Sequence, residues 1–324
     1  MSENQSETAD LYFLGPAGSF THEAALKAAQ KLEKTQNICA RPVPADTAAD
    51  VFESVCANKG CGIIAWENNV EGCVVPNLDA LIDSSDAVAV SRISVHVAFD
   101  AFVREDHERL TNVTAHPHGL AQCRNFARKA GLKPVPAKSN AAGCRDLAKN
   151  TVALAARICG EIYGLETLER SVQDFSSART DFLLLAHRDS AKAFTDNIRR
   201  AKTQNASYES ILALIPLFTG AGVLANLLDM FRDAGLNMTS FISRPIKGRD
   251  GTYSFIVTAD AAPWQPQLKT LMKKIIDGGS WVKTLAVYER PPRENPPAGT
   301  WKLPSGGVLK NESREICEKE LLWD

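Results

Sequence analysis

The stretch Gly222-Val-Leu-Ala-Asn-Leu-Leu-Asp-Met-Phe231, followed by Asn237-Met-Thr-Ser-Phe-Ile-Ser-Arg-Pro245, decides the fold of the second half of the chain. A glycine opens an apolar run with helical spacing, and a polar turn then leads into a strand that ends in Ser-Arg-Pro. Together with its flanks it gives six predicted segments, in the order strand, helix, strand, strand, helix, strand, at 210–218, 224–234, 237–243, 253–258, 268–276 and 282–288. This βαββαβ order is typical of a ferredoxin-like fold.

The first half of the chain alternates short apolar runs with amphipathic helical segments. Strands are predicted at 12–14, 61–66, 93–103, 113–114, 133–135, 152–156 and 180–186, and helices at 20–31, 46–58, 119–129 and 141–148, with another beginning at 78–82. This alternation predicts an α/β region with largely parallel sheets, which bind ligands beyond the carboxyl ends of their strands. We interpret 93–103 as one strand entering a second unit, and the polar segment 189–207 as a linker.

Composition narrows the class of protein. With 324 residues, 44% of them hydrophobic and 23% charged, the chain is expected to form two or three compact globular units. The net charge of −1 gives no reason to expect nucleic acid or an anionic membrane as a partner. The N-terminus is acidic rather than signal-like, no apolar run is long enough to span a membrane, and the eight cysteines are scattered. We therefore expect a cytoplasmic protein with reduced thiols and no metal site.

Several short motifs occur along the chain in a fixed order: Leu14-Gly-Pro-Ala-Gly-Ser-Phe-Thr21, Glu67-Asn68, His116-Pro117, Leu120-Ala-Gln-Cys123, Tyr163-Gly-Leu165, Thr180-Asp181-Phe182, Gly222-Val-Leu224 and Ser243-Arg244-Pro245. Their order resembles that of prephenate dehydratases with a C-terminal ACT regulatory domain, whose motifs read GPxGTFS, ENS, SHPQALAQC, YGL, TRF, GAL and ESRP. The resemblance extends over about residues 10 to 290. It is more specific than any single motif, because all of them occur in the same order.

The resemblance implies a domain organisation. Residues 10–188 would form a two-lobed α/β catalytic region like that of periplasmic solute-binding proteins, with the second lobe at about 92–167. Residues 207–290 would form the ACT domain, and 291–324 a proline-rich tail with a short helix near its end. ACT domains of this kind pair side by side, so a homodimer or homotetramer is expected.

The resemblance also implies a reaction and its site. Prephenate would be converted to phenylpyruvate, water and carbon dioxide on the route to phenylalanine, without a metal or organic cofactor. Thr180 would donate a hydrogen bond to the leaving hydroxyl. Asn68 would bind a substrate carboxylate, and Glu67 would orient the Asn68 side chain. His116 would close over the substrate. The residues expected to bind substrate are Gly15, Pro16, Ala17, Gly18, Ser139 and Asn140.

The ACT resemblance implies feedback by L-phenylalanine. A glycine at the start of a helix allows close approach of a ligand, and the helix N-terminus attracts a carboxylate. The residues expected to bind the effector are Gly222, Val223, Leu224, Asn237, Ser243, Arg244 and Pro245.

Departures from the family motifs keep alternatives open. The substitutions lie at Asn69, Ala115, His118, Asn140, Ala156, Ala178, Asp181, Val223 and Ile242. Asp181 is the sharpest of these, because a carboxylate beside a dianionic substrate is unfavourable. It would point away, leave Arg179 to supply the positive charge, or pair with an arginine such as Arg145 or Arg157; we predict that it is paired or turned from the cleft. Two rival functions are a prephenate decarboxylase of the same fold and a catalytically inactive amino-acid sensor.

Overall fold

The computed structural model describes residues 7–200, 207–246, 251–290, 307–310 and 312–322. The chain divides into a unit ending at Arg290 and a second unit that follows it. The proline-rich stretch 291–306, which the sequence analysis assigns to a tail, lies outside the described residues.

Strands and helices alternate through most of the described chain. The strands are β1 (Glu7–Leu14), β2 (Ile38–Ala45), β3 (Gly60–Asn68), β4 (Gly72–Cys73), β5 (Ala87–His96), β6 (Asp100–Val103), β7 (Asn112–Ala115), β8 (Lys133–Pro136), β9 (Thr151–Ala155), β10 (Glu166–Glu169), β11 (Arg179–His187), β12 (Tyr208–Pro216), β13 (Met238–Pro245), β14 (Tyr253–Ala259) and β15 (Ser280–Glu289). The helices are α1 (Phe20–Gln36), α2 (Ala48–Cys56), α3 (Val75–Asp83), α4 (Pro117–Gln122), α5 (Arg124–Lys129), α6 (Asn140–Arg145), α7 (Ile158–Tyr163), α8 (Arg188–Arg200), α9 (Val223–Asp233), α10 (Pro266–Asp277) and α11 (Arg314–Leu321).

The first lobe is built on a sheet with strand order β5-β11-β3-β1-β2. Strands β1, β2 and β3 are parallel, and β11 runs antiparallel to both β3 and β5. Helices α1 and α8 pack on one face, around Phe13, Phe182 and Phe194. Helices α2 and α3 pack on the other face, around Phe52 and Leu78. The sheet is therefore buried on both sides, as expected for an α/β layer.

The second lobe has its own sheet, with strand order β10-β6-β9-β7-β8. The chain enters this lobe after β5 and returns to the first lobe by β11, so two crossovers join the lobes. The two-lobed α/β architecture predicted from the sequence is confirmed, but the sheets are mixed rather than largely parallel, because β11, β6 and β10 pair antiparallel with their neighbours.

The third part of the fold consists of β12 to β15 with α9 and α10, and we call it the βαββαβ unit. Its antiparallel strands have the order β13-β14-β12-β15, and both helices contribute to one core with Leu227, Phe231, Leu268 and Leu271. This confirms the ferredoxin-like prediction. Strand β15 also pairs in parallel with β5 of the first lobe, through Ala286 and Ala89, so the strands of the two regions form one continuous sheet.

Two predictions about the chain path were wrong. The apolar run 93–103 is not one strand, because β5 ends at His96 and β6 begins at Asp100 in the other sheet. The segment 189–207 is not a linker throughout, because α8 occupies most of it and buries Phe194 against the first lobe. Phe194 is the buried aromatic residue through which this otherwise polar helix contacts the core.

The second unit contains α11, which agrees with the helix predicted near the end of the tail. Ser313 caps this helix by accepting a hydrogen bond from the amide of Ile316. Across the described ranges, no helix is both long and apolar enough to cross a membrane.

Candidate active site

The candidate site lies where several strands of the first lobe end at the same edge of the sheet. Strand β1 ends at Leu14 and β3 at Asn68, while the antiparallel β11 begins at Arg179. The register places Thr180 directly between Asn68 on β3 and Val95 on β5. The sequence motifs around Gly15, Asn68 and Thr180 therefore meet at one edge, although they are far apart in the chain.

Thr180 and Asn68 are directly hydrogen-bonded. The Asn68 amide nitrogen Nδ2 donates to Thr180 Oγ1 at 2.9 Å. Because Asn68 is the donor, the threonine hydroxyl keeps its own proton for a further acceptor. Both side chains are half-buried, so they remain accessible at the sheet edge.

The turn after β3 holds Asn68 in place. Asn68 Oδ1 accepts hydrogen bonds from the amides of Val70 and Glu71, at 2.8 and 3.1 Å. Asn69, which replaces a serine of the family motif, donates to the carbonyl of Ser177 at 2.8 Å and accepts from the amide of Arg179 at 2.7 Å. This substitution therefore ties the turn to the start of β11.

Asp181 lies on the opposite face of β11 and is buried, with 3% of its surface exposed. Arg92 Nη2 donates to Asp181 Oδ2 at 2.6 Å, and the Ser94 hydroxyl donates to Oδ1. Burial by itself would raise the pKa of Asp181, but the hydrogen bond and positive charge of Arg92, with the Ser94 hydrogen bond, hold it below its ordinary value. The prediction that this carboxylate is paired or turned from the cleft is confirmed by its pairing with Arg92.

The proposed partners of Asp181 were wrong. Arg145 pairs with Asp146, and Arg157 pairs with Asp100. Arg179 is only a secondary partner of Asp181, at 3.5 Å. The pairing of Asp181 with Arg92 was not predicted, because it depends on the register of β5 against β11.

Glu67 shares the face of Asp181 rather than that of Asn68. Its Cα is the register partner of Asp181, and its Oε2 lies 3.5 Å from Arg92 Nη2. Its side chain is 48% exposed, so it can be reached from solvent. The structure therefore separates Glu67 and Asn68, which are neighbours in the sequence, onto two faces.

His116 and Asn140 come together at the carboxyl edge of the second sheet. The amide of His116 donates to Asn140 Oδ1 at 2.9 Å, and His116 Nδ1 accepts from the amide of His118 at 3.3 Å. Burial, followed by the neighbouring His118, lowers the pKa of His116. His116 is thus a neutral ring at pH 7. Ser139 is the N-cap of α6 and accepts a hydrogen bond from the amide of Ala142 at 3.0 Å.

The turn formed by Gly15, Pro16, Ala17 and Gly18 joins the two lobes. The Tyr163 hydroxyl donates to the carbonyl of Ala17 at 2.7 Å, and Cys159 Sγ donates to the carbonyl of Gly18 at 3.0 Å. Gly18 has φ +88°, and a Cβ there would lie 2.8 Å from Cys159 Sγ, so only glycine fits. The amides of Gly15 and Gly18 already donate within the protein, to the carbonyl of Ala45 and to His22 Nδ1, so they are not free to bind an anion.

The predicted effector residues fall into two groups within one chain. Gly222, with φ +86°, caps the start of α9, which continues through Val223 and Leu224. Because β13 runs parallel to β12, Ser243, Arg244 and Pro245 lie at the same end of the sheet as this helix start. Asn237 lies at the far end of α9, about 16 Å away at 1.5 Å per residue, and donates to Asp260 Oδ2 at 2.7 Å.

The βαββαβ unit contacts helix α3 of the first lobe through an ion pair and several hydrogen bonds. Arg244 forms a bidentate ion pair with Asp79 of α3. Its Nε donates to Asp79 Oδ1 at 3.0 Å, and its Nη2 donates to Oδ2 at 2.8 Å. Lys283 donates to the carbonyls of Leu81, Ile82 and Ser84 at the end of the same helix. Helix α3 follows the Asn68 turn through the short strand β4, so it physically connects the two regions.

The candidate site is built from hydroxyl, amide and imidazole side chains. No group of three or more His, Cys, Asp or Glu side chains with metal-binding geometry occurs among the described residues. The eight cysteines are all free, and burial raises the pKa of Cys61 to about 11. The site therefore presents a hydroxyl, amides and a neutral imidazole.

Comparison with known proteins identifies the family. Residues 11–190 match the family model described as prephenate dehydratase. A prephenate dehydratase of Mycobacterium sp. (strain JLS) is 30% identical over 301 residues, covering 86% of this chain and 91% of the relative. The structure of prephenate dehydratase from Staphylococcus aureus subsp. aureus Mu50 has a TM-score of 0.69 at 22% identity, covering 86% of this chain and 100% of the other. That of the Arthrobacter aurescens enzyme in complex with L-Phe has a TM-score of 0.72 at 23% identity, covering 87% and 90%. The family model spans more than half of the chain, and the chain belongs to the prephenate dehydratase family.

Proposed function

We propose that this enzyme converts prephenate to phenylpyruvate with Thr180 as the group that assists departure of the ring hydroxyl. The observation that carries the proposal is the hydrogen bond from Asn68 to Thr180. It fixes the threonine oxygen as an acceptor from Asn68 and leaves its O–H to donate to substrate.

The reaction needs little from the protein beyond orientation and one hydrogen-bond donor. The bond between the ring and its carboxylate breaks, and its electron pair enters the ring as the C–O bond to the hydroxyl breaks. The leaving hydroxide takes one proton, so prephenate dianion and H⁺ give phenylpyruvate, carbon dioxide and water. Aromatisation supplies the driving force, and a donor held at the leaving oxygen lowers the barrier.

The assignment of the remaining residues follows from their positions. His116, neutral at pH 7, would close over the substrate from the second lobe, with Ser139 and Asn140 behind it. Asn68 would bind a substrate carboxylate through its turn, and Glu67 would act from the neighbouring face. Neutral donors are suited to this reaction, because stabilising the ring carboxylate in the ground state would oppose its loss.

Product analysis tests the proposal directly. The purified chain is incubated with prephenate at pH 7.5, and the product is identified by its absorption in alkali and by mass spectrometry. Phenylpyruvate supports the dehydratase. A non-aromatic keto acid would identify the decarboxylase instead, and unchanged prephenate would identify the sensor.

We further propose that L-phenylalanine regulates the enzyme through the βαββαβ unit, acting as an ACT domain in residues 207–290. The bound L-Phe named for the Arthrobacter relative supports this. Asn237 and Gly222 lie at opposite ends of α9 in one chain, so a site that uses both needs a second copy. Exposed apolar side chains near the start of α9, at Leu217, Phe218 and Leu224, supply a surface for that pairing.

Two measurements test the regulatory proposal. Isothermal titration should show phenylalanine binding, and Gly222→Leu should abolish it because a side chain at φ +86° is strained and blocks the helix start. Light scattering should show a dimer or tetramer. No heat of binding for the wild type would refute phenylalanine as the effector, and a monomer at micromolar concentration would refute the paired site.

Alanine variants of Arg244 and of its partner Asp79 distinguish two roles for the arginine. If Arg244 contacts the effector, Arg244→Ala should lose phenylalanine binding while Asp79→Ala keeps it. If Arg244 instead transmits the response through α3, both variants should bind phenylalanine and lose inhibition.

The proposed place of action is the cytoplasm, whose reducing conditions suit the eight free cysteines.

A further inference from the structure

We propose that Arg92 is a positioning residue for this reaction, which holds Asp181 and Glu67 beside the Thr180–Asn68 pair and ties them to the βαββαβ unit. The proposal rests on the proposed dehydratase function and extends it to a residue outside the sequence motifs. Arg92 itself faces away from the Thr180 hydroxyl and does not contact the reacting atoms.

Arg92 lies at the meeting point of four acidic or phenolic groups from four strands, β3, β11, β12 and β15. Its Nη2 lies 2.6 Å from Asp181 and 3.5 Å from Glu67. Its Nη1 lies 3.1 Å from Glu209 Oε1 and 3.5 Å from the Tyr288 hydroxyl. The Tyr288 hydroxyl in turn donates to Glu209 at 2.8 Å. Arg92 therefore joins the candidate site to both β12 and β15.

The register explains how a residue on the far face affects the site. Thr180 and Asp181 are consecutive on β11, and their partners Asn68 and Glu67 are consecutive on β3. Successive side chains of a strand point to opposite faces. Fixing Asp181 and Glu67 on one face therefore fixes the backbone that carries Thr180 and Asn68 on the other.

The buried charges around Arg92 do not cancel, so stability alone does not explain the cluster. The side chains of Arg92, Asp181 and Glu209 are 6%, 4% and 1% exposed, so one buried cation faces two buried anions. Arg92 Nε and Glu209 Oε2 have no hydrogen-bond partner among the described residues. Replacing a buried ion pair by apolar side chains of similar volume often leaves a protein as stable or makes it more so. Its presence next to the Thr180–Asn68 pair is therefore better explained by positioning.

The charge on Arg92 is maintained despite its burial. Burial opposes the charged form, but the nearby Tyr288 and the hydrogen-bonded Asp181 outweigh it and raise the pKa of Arg92. The cation therefore persists across the working pH range, and the cluster acts as a fixed support rather than as a titrating switch.

Kinetics on four variants test the proposal. Arg92→Met should lower kcat about ten- to a hundredfold with KM nearly unchanged, because a small misplacement of the catalytic groups costs rate. Arg92→Lys, which keeps the charge, should recover part of the loss. Glu209→Gln and Tyr288→Phe, which act only through Arg92, should each lower kcat by about two- to fivefold.

Hydrogen exchange gives a readout that does not depend on catalysis. Peptides covering 67–71 and 179–181 should exchange faster in Arg92→Met and, to a smaller extent, in Tyr288→Phe. The matched control is Arg290→Met, which removes an arginine from its ion pair with Asp260 at 2.6 Å, a pair that includes no residue of these peptides. It should leave both kcat and the exchange of these peptides unchanged.

The outcomes separate the two hypotheses. Wild-type turnover to phenylpyruvate with wild-type kcat in folded Arg92→Met would overturn the positioning role. An inactive wild type would overturn the proposed function instead, and the exchange data would still decide whether Arg92 orders the site. If Arg92→Met does not fold, unchanged kcat and exchange in both Tyr288→Phe and Glu209→Gln would overturn the proposal.

Discussion

The two faces of strand β11 differ sharply over a single residue step. On one face Thr180 accepts a hydrogen bond from Asn68, both half-buried and neutral. On the other face Asp181 is buried against Arg92 and Ser94. The first face can present a hydroxyl to a substrate, whereas on the second face the carboxylate of Asp181 is sealed from solvent. Asp181, which stands where the family motif has arginine, therefore lies in the support behind the surface that we propose reacts.

The largest expected effect comes from removing the Thr180 hydroxyl, on the face of β11 that can reach a substrate. Thr180→Ala should lower kcat by about 10² to 10⁴ with little change in KM, because it removes the donor to the leaving hydroxyl. Steady-state kinetics with prephenate checks this. Thr180→Ser is the control and should keep most of the activity, since it retains the hydroxyl. Equal kcat for wild type and Thr180→Ala would exclude Thr180 from the mechanism.

Breaking the sealed face should cost stability. Asp181→Ala leaves Arg92 paired with Glu209 but removes the partner of its Nη2 at 2.6 Å, and it should lower the free energy of unfolding by about 1.5–3 kcal/mol in urea denaturation. Ser94→Ala is a milder control that removes one hydrogen bond, worth about 1 kcal/mol. Asp181→Arg should not lower KM for prephenate. A several-fold lower KM would mean that the carboxylate opposes substrate binding after all.

A smaller effect is expected between the two faces, at the turn that follows β3. Asn69→Ala removes both hydrogen bonds to the start of β11 and should lower the free energy of unfolding by about 1 kcal/mol, because the side chain is exposed. Asn69→Ser, the residue of the family motif, should fall between wild type and Asn69→Ala. Thermal unfolding of the three proteins measures this order, and identical midpoints would show that the turn needs no such bonds.

The smallest effect concerns pH and the second lobe. Burial lowers the pKa of His116, so the unfolded chain takes up this proton at a higher pH than the folded protein. The wild type should therefore lose stability relative to His116→Gln as the pH falls below about 6.5, and the two should run parallel above it. Urea denaturation between pH 7.5 and 5.5 measures the difference. A constant difference over this range would show that the histidine titrates normally.

Much of the fold could be predicted from the sequence, because hydrophobic period and turn residues act locally. The βαββαβ unit and the alternation of strands and helices before it follow from such signals. The errors arose where distant contacts decide. The run 93–103 divides between two sheets, and α8 is fixed by Phe194 against helices and strands from the start of the chain.

The candidate site shows the same limit. The predicted strands 61–66 and 180–186 put Asn68 and Thr180 near strand ends, and the structure brings the two residues together at one sheet edge. The partner of Asp181 could not be found in this way. Arg92 lies 89 positions away in the chain, and only the register of β5 against β11 brings it within 2.6 Å. A long-range charge pair of this kind leaves no periodic signal in a single sequence.

The pairing of Ala89 with Ala286 has a consequence for exchanging parts between relatives. Both alanines are fully buried where β5 meets β15, and the cluster around Arg92 lies beside this seam. A chimaera joined between β11 and β12 would therefore combine a β5 from one protein with a β12 and β15 from another. Such a chimaera keeps an unbroken chain, but the side chains of β5 no longer match those of β12 and β15 where the strands meet. We expect transplanted βαββαβ units to work in this enzyme only when Ala89 and Arg92 are transplanted together with them.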